Sequence, residues 1–459
     1  MTIDSARVRR LAATLYAYAF LADLVLLYPV YALLFTDTGL PVWQISSLFV
    51  IWSAASTLLE VPSGAWADAV SRRLLLCLAP LVTAVAFALW VLVPSYPAFA
   101  VGFLLWGAGG ALASGSLEAL VHDELDHLGA AGRYARTMGR ARTAGTAGVL
   151  AAIVLAGPVL ATGGYPAVGA ASVLACLLTA AVAFRFPEHR EAATPPGSGP
   201  DQHGAAASLP GSGPDQHGAA ASLPGPGPDQ HAVAGPVRDE EPELGWWASL
   251  RGGLAEVRAD GRVRAAVLLL AVVTAIWGAL DEYTPLLAGD TGVARETVPV
   301  LLLLLWLGVT AGGLLAPLGE RLTTRGYAAL LACSGVALAA GALSARPAGF
   351  VLVAAGFCGF QLATVLADAR LQARITGTSR ATVTSLAGTA TDLGTIAVYG
   401  GYALLATGAG NGAVFAVLAV PYLIVALALV VRRPGPAVPG EPHRAVAGKA
   451  SPSASRMES

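Results

Sequence analysis

The stretch Gly64-Ala65-Trp66-Ala67-Asp68-Ala69-Val70-Ser71-Arg72-Arg73 decides how the chain is read. It is a short polar connection between two apolar runs, residues 42–63 and 74–93. A helix rising about 1.5 Å per residue needs roughly 20 apolar residues to cross the hydrocarbon core of a bilayer, and both runs reach that length. The stretch therefore reads as a tight loop between two membrane helices, carrying one acid and a pair of arginines.

Composition agrees. The chain has 459 residues, of which 55% are hydrophobic and 12% charged; a soluble domain carries about 25% charged residues. The formal net charge of −1 gives no case for nucleic acid as a partner; the partners expected are the lipid bilayer, a small molecule and a proton. The basic residues are arginines apart from Lys449. Cys77, Cys176, Cys333 and Cys358 all lie in apolar runs without metal-ligand spacing, and read as small buried hydrophobes. The apolar run that follows Arg7, Arg9 and Arg10 extends to about residue 35, too long for the ~7–15-residue core of a cleaved signal peptide.

Working outward, runs long enough to span occur at 11–35, 42–63, 74–93, 97–121, 137–161 and 165–186. A second set lies at 262–287, 297–318, 327–345, 348–372, 380–406 and 411–432. Backbone groups in hydrocarbon must be paired within the segment, so each run is a helix. The predicted architecture is all-α, with 12 membrane helices in two six-helix bundles, 11–186 and 262–432. Residues 1–10 form a cytoplasmic N-terminus, 187–245 a disordered cytoplasmic linker, 246–261 an interfacial helix and 433–459 a disordered tail. The linker repeats GSGPDQHGAAASLP at 197–210 and 211–224; its Pro, Gly, Ser and Ala bury too little apolar surface to fold. His203, His217 and His231 recur at that period, which repeat expansion explains without metal binding. Trp246 and Trp247 suit a helix lying at the membrane interface.

Basic residues concentrate on one side: the N-terminus, Arg72 and Arg73, Arg133 and Arg136, the linker, Arg321 and Arg325, Arg370 to Arg380, and the tail. Arg295 and Arg346 stand alone on the other side. The expectation is that the basic side, with both termini, faces the cytoplasm of a cell whose plasma membrane holds the protein. The halves echo each other: a shift of 252 places Asp68 on Glu320 and Arg73 on Arg325.

The opening stretch resembles the signature loop between helices 2 and 3 of the major facilitator superfamily, Gly-x-x-x-Asp-(Arg/Lys)-x-Gly-(Arg/Lys)-(Arg/Lys). Gly64, Asp68, Arg72 and Arg73 fall on it; Ala69 stands for the first basic residue and Ser71 for the second glycine. The resemblance covers nearly the whole chain apart from linker and tail. It implies two parallel six-helix repeats and transport by alternating access, without enzymatic activity or cofactor. It also implies a cytoplasmic gate, in which Asp68 sits near Thr378-Ser379-Arg380 and Arg72 meets Glu118 or Asp123. Such pairs would close the cytoplasmic side when the cavity opens outward and break on the reverse swing. Glu60, Arg140 and Arg142 lie near the same helix ends as secondary candidates. The alternative for all of these is a set of charges that fix topology at a membrane edge.

Acids inside spans cost about 2.5–3.5 kcal/mol each on insertion scales, and such residues face a cavity or a partner. Asp23 lies mid-way along the first helix and Asp392 inside the eleventh. Each is either a protonatable or substrate-contacting group in a cavity or an acid neutralised between helices. Asp281 and Glu282 lie in the outer third of the seventh helix before Pro285. Helical neighbours point about 100° apart, so the two cannot face one site equally: both are cavity candidates, one lining the cavity while the other reaches toward the outer interface. Tyr16, Tyr18, Trp52, Trp106 and Trp277 lie near these acids, either lining a site or filling helix interfaces. No phosphate loop, His-Glu-x-x-His or Gly-x-Ser-x-Gly occurs, and no metal site is expected. The reading is a monomeric secondary transporter, exporting a small organic compound in exchange for protons. Proton-linked uptake of a nutrient and a transporter-like receptor that moves nothing stand as alternatives.

Overall fold

The computed structural model describes residues 5–189, 258, 260–375 and 380–431, with the backbone alone for 60–69, 380 and 381. The linker repeats, most of the expected interfacial helix, the tail, Thr378 and Ser379 lie outside the described residues, as do the side chains of Glu60, Gly64 and Asp68. No strand occurs among the described residues. Among the described residues the helices group into twelve spans, six before residue 190 and six after residue 260. The face bearing Ser5 and Val431 is called the basic face.

Span 1 is broken. It runs as Ser5–Asp23, loses helical geometry over 24–30, and resumes as Tyr31–Asp37. Pro29 lacks an N–H and pushes Tyr28 away from helical geometry. The freed Leu27 N–H donates to Ser172 Oγ of span 6 at 3.0 Å, which keeps the backbone paired in an apolar setting. Span 7 breaks at the corresponding place, Gly261–Asp281 and then Thr284–Gly289, with Pro285 in the first turn of the second piece. The shift of 252 that relates the halves carries Tyr31 onto Tyr283, so the repeat extends to the break itself.

The remaining spans are more regular. Span 2 is Val42–Ala69 and span 3 is Arg72–Leu92. The ten-residue connection expected at 64–73 shrinks to Val70 and Ser71: span 2 stays helical to Ala69, and Ser71 Oγ accepts the Leu74 N–H to start the next helix. Span 4 comprises Tyr96–Ala113 and Ser116–His127. Spans 5 and 6 meet at Gly164, whose φ of 63° a side chain would resist. Spans 8 to 12 are Val298–Leu314, extended by Ala316–Gly319, then Thr324–Leu343, Phe350–Gln372, Arg380–Leu405 and Asn411–Val431.

Each half packs internally, and the halves meet through span 2 against span 11 and span 5 against span 8. One core cluster runs through both halves, joining Leu33, Phe35 and Phe49 to Leu280, Tyr283, Tyr399 and Tyr402 on the side away from the basic face. Toward the basic face the core divides. Leu11, Leu15, Tyr18, Leu76, Leu120 and Phe186 form a cluster wholly within the first half, and Val263, Val267, Leu371 and Val383 one wholly within the second.

Candidate functional site

The two helix breaks face each other across the interface between the halves, and a cavity of about 290 Å³ lies between them. That is near the lower end of the ~300–1,000 Å³ usual for ligand sites. The first half supplies an aromatic wall. Trp106 of span 4 is stacked between Trp52 of span 2, with ring centroids 4.9 Å apart, and Tyr28 of the span 1 break, at 5.3 Å. Val149 and Ile153 of span 5 continue it. The second half supplies Leu302 and Trp306 of span 8 and, from the span 7 break, Asp281, Glu282, Thr284 and Pro285. No Arg, Lys or His lines the cavity among the described residues.

Both acids of span 7 line the cavity, although a regular helix would not let them face it equally. Asp281 is the last residue of its helix and Glu282 already lies in the break, so the 100° rule for helical neighbours no longer applies. Glu282 accepts a hydrogen bond from the Tyr31 hydroxyl of the opposite half. The Asp281 carboxylate has no hydrogen bond or ion pair among the described residues; Thr284 Oγ1 donates to its backbone carbonyl at 2.6 Å instead. An unpaired half-buried carboxylate beside a second carboxylate, facing stacked aromatic rings, is an arrangement that favours a cation.

Beyond the cavity the halves are clasped shut on the side away from the basic face. Tyr283 donates to Ser46 Oγ at 2.7 Å and stacks on Tyr402, 3.5 Å between centroids. Phe49 packs edge-on against Tyr283, 5.3 Å away. At the rim Asp37 accepts from Arg295 and from Tyr165, both at 2.7 Å. A Cβ on Gly157 of span 5 would come 2.5 Å from the Glu296 carbonyl, so glycine is what lets span 5 approach there.

The other predicted acids lie elsewhere. Asp23 is half-buried where span 1 crosses span 5, one turn nearer the basic face than Val149. A Cβ on Gly145 would come within 2.4 Å of its Oδ2. Asp392 sits half-buried in span 11, outside the cavity lining. Of the aromatics, Trp52 and Trp106 line the site. Trp277 points into the second half, donating to Thr364 Oγ1 at 3.1 Å, and Tyr18 is packed against Phe186.

At the basic face Arg72 pairs with Asp123, as expected, and Arg142 with Glu118 at 3.9 Å. Arg73 and Arg140 are exposed. The pair is present together with the far-side contacts between the halves, and both its partners belong to the first half. Residues 187–189, expected to begin the linker, are also held there. Glu188 accepts from Ser71 Oγ and from the Arg72 N–H, the latter at 2.7 Å. His189 donates its N–H to the buried Glu124 at 2.6 Å and stacks on His127.

Tyr31, Trp306, Glu124 and Glu188 were not singled out by sequence. Tyr31 had a usable signal, its match to Tyr283 under the shift of 252. Trp306 had none, since a tryptophan in an apolar run reads alike toward lipid or cavity.

Two six-span bundles with a cavity between symmetry-related helix breaks define a secondary-transporter fold. The model of the Major Facilitator Superfamily matches residues 13–399, and the chain belongs to that superfamily: it is a transporter, not an enzyme. Among solved structures it is similar to the nucleoside transporter NupG, at 12% identity and a TM-score of 0.65, covering 92% of this chain and 98% of that one. It is similar also to a bacterial homologue of the human lysosomal transporter Spinster (16%, TM-score 0.58, covering 93% and 95%). The D-xylose–proton symporter is a third (14%, TM-score 0.57, covering 92% and 97%). Identities this low establish the fold alone. No curated protein matches the chain at a significant level.

Proposed function

We propose that this protein is a proton-coupled secondary transporter of the cytoplasmic membrane, with both termini in the cytoplasm, and that it exports a small organic cation bearing an aromatic ring. The observation that carries the reading is the cavity: two carboxylates from the span 7 break, a Tyr28–Trp106–Trp52 stack opposite them, and no basic side chain among the described residues. A ring system slots against the stack while its positive charge sits by Asp281 and Glu282. Cation–π contact contributes about 0.5–2 kcal/mol, more when desolvated, and the carboxylates supply the larger share.

The same carboxylates serve protons. A site that holds either protons or a cation, and reaches each side in turn, exchanges one for the other. Asp23, a turn nearer the basic face, is a second protonatable group on the path. With the basic face cytoplasmic, the state described is closed to the outside. Proton-linked uptake of a nutrient remains the second reading, favoured by the likeness to a proton symporter.

The test is transport in proteoliposomes with an imposed pH gradient, using N-methylquinolinium as the probe. Outward-directed exchange, with proton movement abolished in Asp281→Asn, supports the reading. Probe movement in the direction of the proton gradient selects uptake. Absence of movement with intact probe binding selects a receptor.

A further inference from the structure

A second concavity lies in the second half at the basic face, away from the transport cavity. It is a groove of about 770 Å³ between the start of span 7 and the end of span 12, floored by the end of span 10. Its upper wall is apolar, with Leu268, Val272, Val425 and Leu429. Leu268 is 55% exposed, on the flank where Ile424 and Leu427 also present apolar surface. Its mouth carries four arginines, Arg262, Arg264, Arg370 and Arg374.

The arginines are unusual in their partners. Arg264 donates to the Arg258 carbonyl at 3.2 Å, Arg374 to the Arg262 carbonyl at 3.5 Å and Arg370 to the Leu322 carbonyl at 3.1 Å. Arg370 also lies over the Tyr327 ring, 4.3 Å from its centroid. None has a carboxylate partner among the described residues. Asp260 accepts from the Arg262 N–H at 2.7 Å as a helix cap. Four like charges held together with no carboxylate partner among the described residues repel one another, and an anion arriving from outside relieves that repulsion. The anion must suit a groove that is basic at the membrane edge and greasy above it.

We propose that this groove is a binding site for an anionic phospholipid of the basic-face leaflet, its phosphate among the arginines and an acyl chain along Leu268 and Val425. Guanidinium forks match phosphate oxygens bidentately, and basic pockets between spans at the cytoplasmic side suit such headgroups. Span 7 is the element that carries Asp281 and Glu282 at its far end. A lipid wedged against its base steadies that helix within its own half. This site stands independently of which substrate the transport cavity takes.

The test uses the full chain in micelles supplied with equal dioleoylphosphatidylglycerol and dioleoylphosphatidylcholine, with retained lipid read by native mass spectrometry. The wild type retains phosphatidylglycerol about tenfold or more over phosphatidylcholine, each arginine contributing about fivefold at most. The triple variant Arg262→Gln/Arg264→Gln/Arg374→Gln falls to near parity, while Arg136→Gln, an exposed arginine of the first half, keeps the preference. Should the triple variant fail to fold, Val425→Trp fills the acyl slot, leaves every charge in place and is expected to lower retention of phosphatidylglycerol. Parity in the wild type overturns the proposal, as does a preference that survives both variants. Inorganic phosphate displacing the lipid at equal concentration also overturns it, by assigning the arginines to a free anion.

Discussion

Spans 1 and 7 break at the same place in the repeat, yet the two breaks differ in chemistry. In span 1 the break is Leu24 to Val30, apolar apart from the Tyr28 hydroxyl, and the proline forces it. In span 7 it is Glu282 and Tyr283, flanked by Asp281 and Pro285. Duplicated architecture thus yields two equivalent walls, one specialised as an aromatic face and the other as an anionic one. Tyr31 and Tyr283, related by the repeat, each reach across to the other half, to Glu282 and Ser46. A second contrast runs along the membrane normal. The far-side clasp joins the halves, whereas the Arg72–Asp123 pair at the basic face lies inside one of them.

The largest expected effect comes from locking that clasp. Cross-linking Asp37→Cys to Arg295→Cys, with Cys333 and Cys358 replaced by Ser, joins the halves across the rim and should abolish turnover. Cross-linking Arg72→Cys to Asp123→Cys spans one half only and should leave turnover nearly intact. Loss of transport in the second cross-link, measured by probe flux, would show that the Arg72 pair moves between states.

Next come the two breaks. Glu282→Gln keeps an acceptor for the Tyr31 hydroxyl and removes a charge facing the bound cation, and should lower cation flux about tenfold, the equivalent of ~1.4 kcal/mol. Exchanging Trp106 for Leu removes the middle of the aromatic stack and should weaken N-methylquinolinium affinity by about three- to thirtyfold, given ~0.5–2 kcal/mol for a cation over a ring. The smallest effect is Arg295→Ala alone. That partly exposed pair contributes about 0–1 kcal/mol, and flux should change less than about fivefold.

Much of this fold was legible because the bilayer imposes one rule, about 20 apolar residues per crossing, on every span. The twelve runs and the repeat offset of 252 follow from it. The breaks were not legible, because a proline such as Pro29 in an apolar run is compatible with a kinked but continuous helix, and only the Ser172 hydroxyl from a distant span makes the broken form affordable. Asp281 and Glu282 were readable as costly residues, but a helical wheel assigns their directions wrongly where the helix ends. Asp23 and Asp392 carry the same insertion cost, and nothing in one-dimensional spacing separates an acid on a helix crossing from an acid in a cavity. The Arg72–Asp123 pairing was accessible through resemblance alone; that it lies within one half required three dimensions.

The account rests on Asp281 being the group that receives the cation's charge. Binding of N-methylquinolinium to the purified protein at fixed pH, followed through quenching of tryptophan fluorescence, tests this most directly, with 1-methylnaphthalene as the uncharged counterpart. Asp281→Asn should weaken binding of the cation about tenfold or more and leave that of the neutral ring unchanged; equal affinity of the variant and the wild type for the cation would contradict the account.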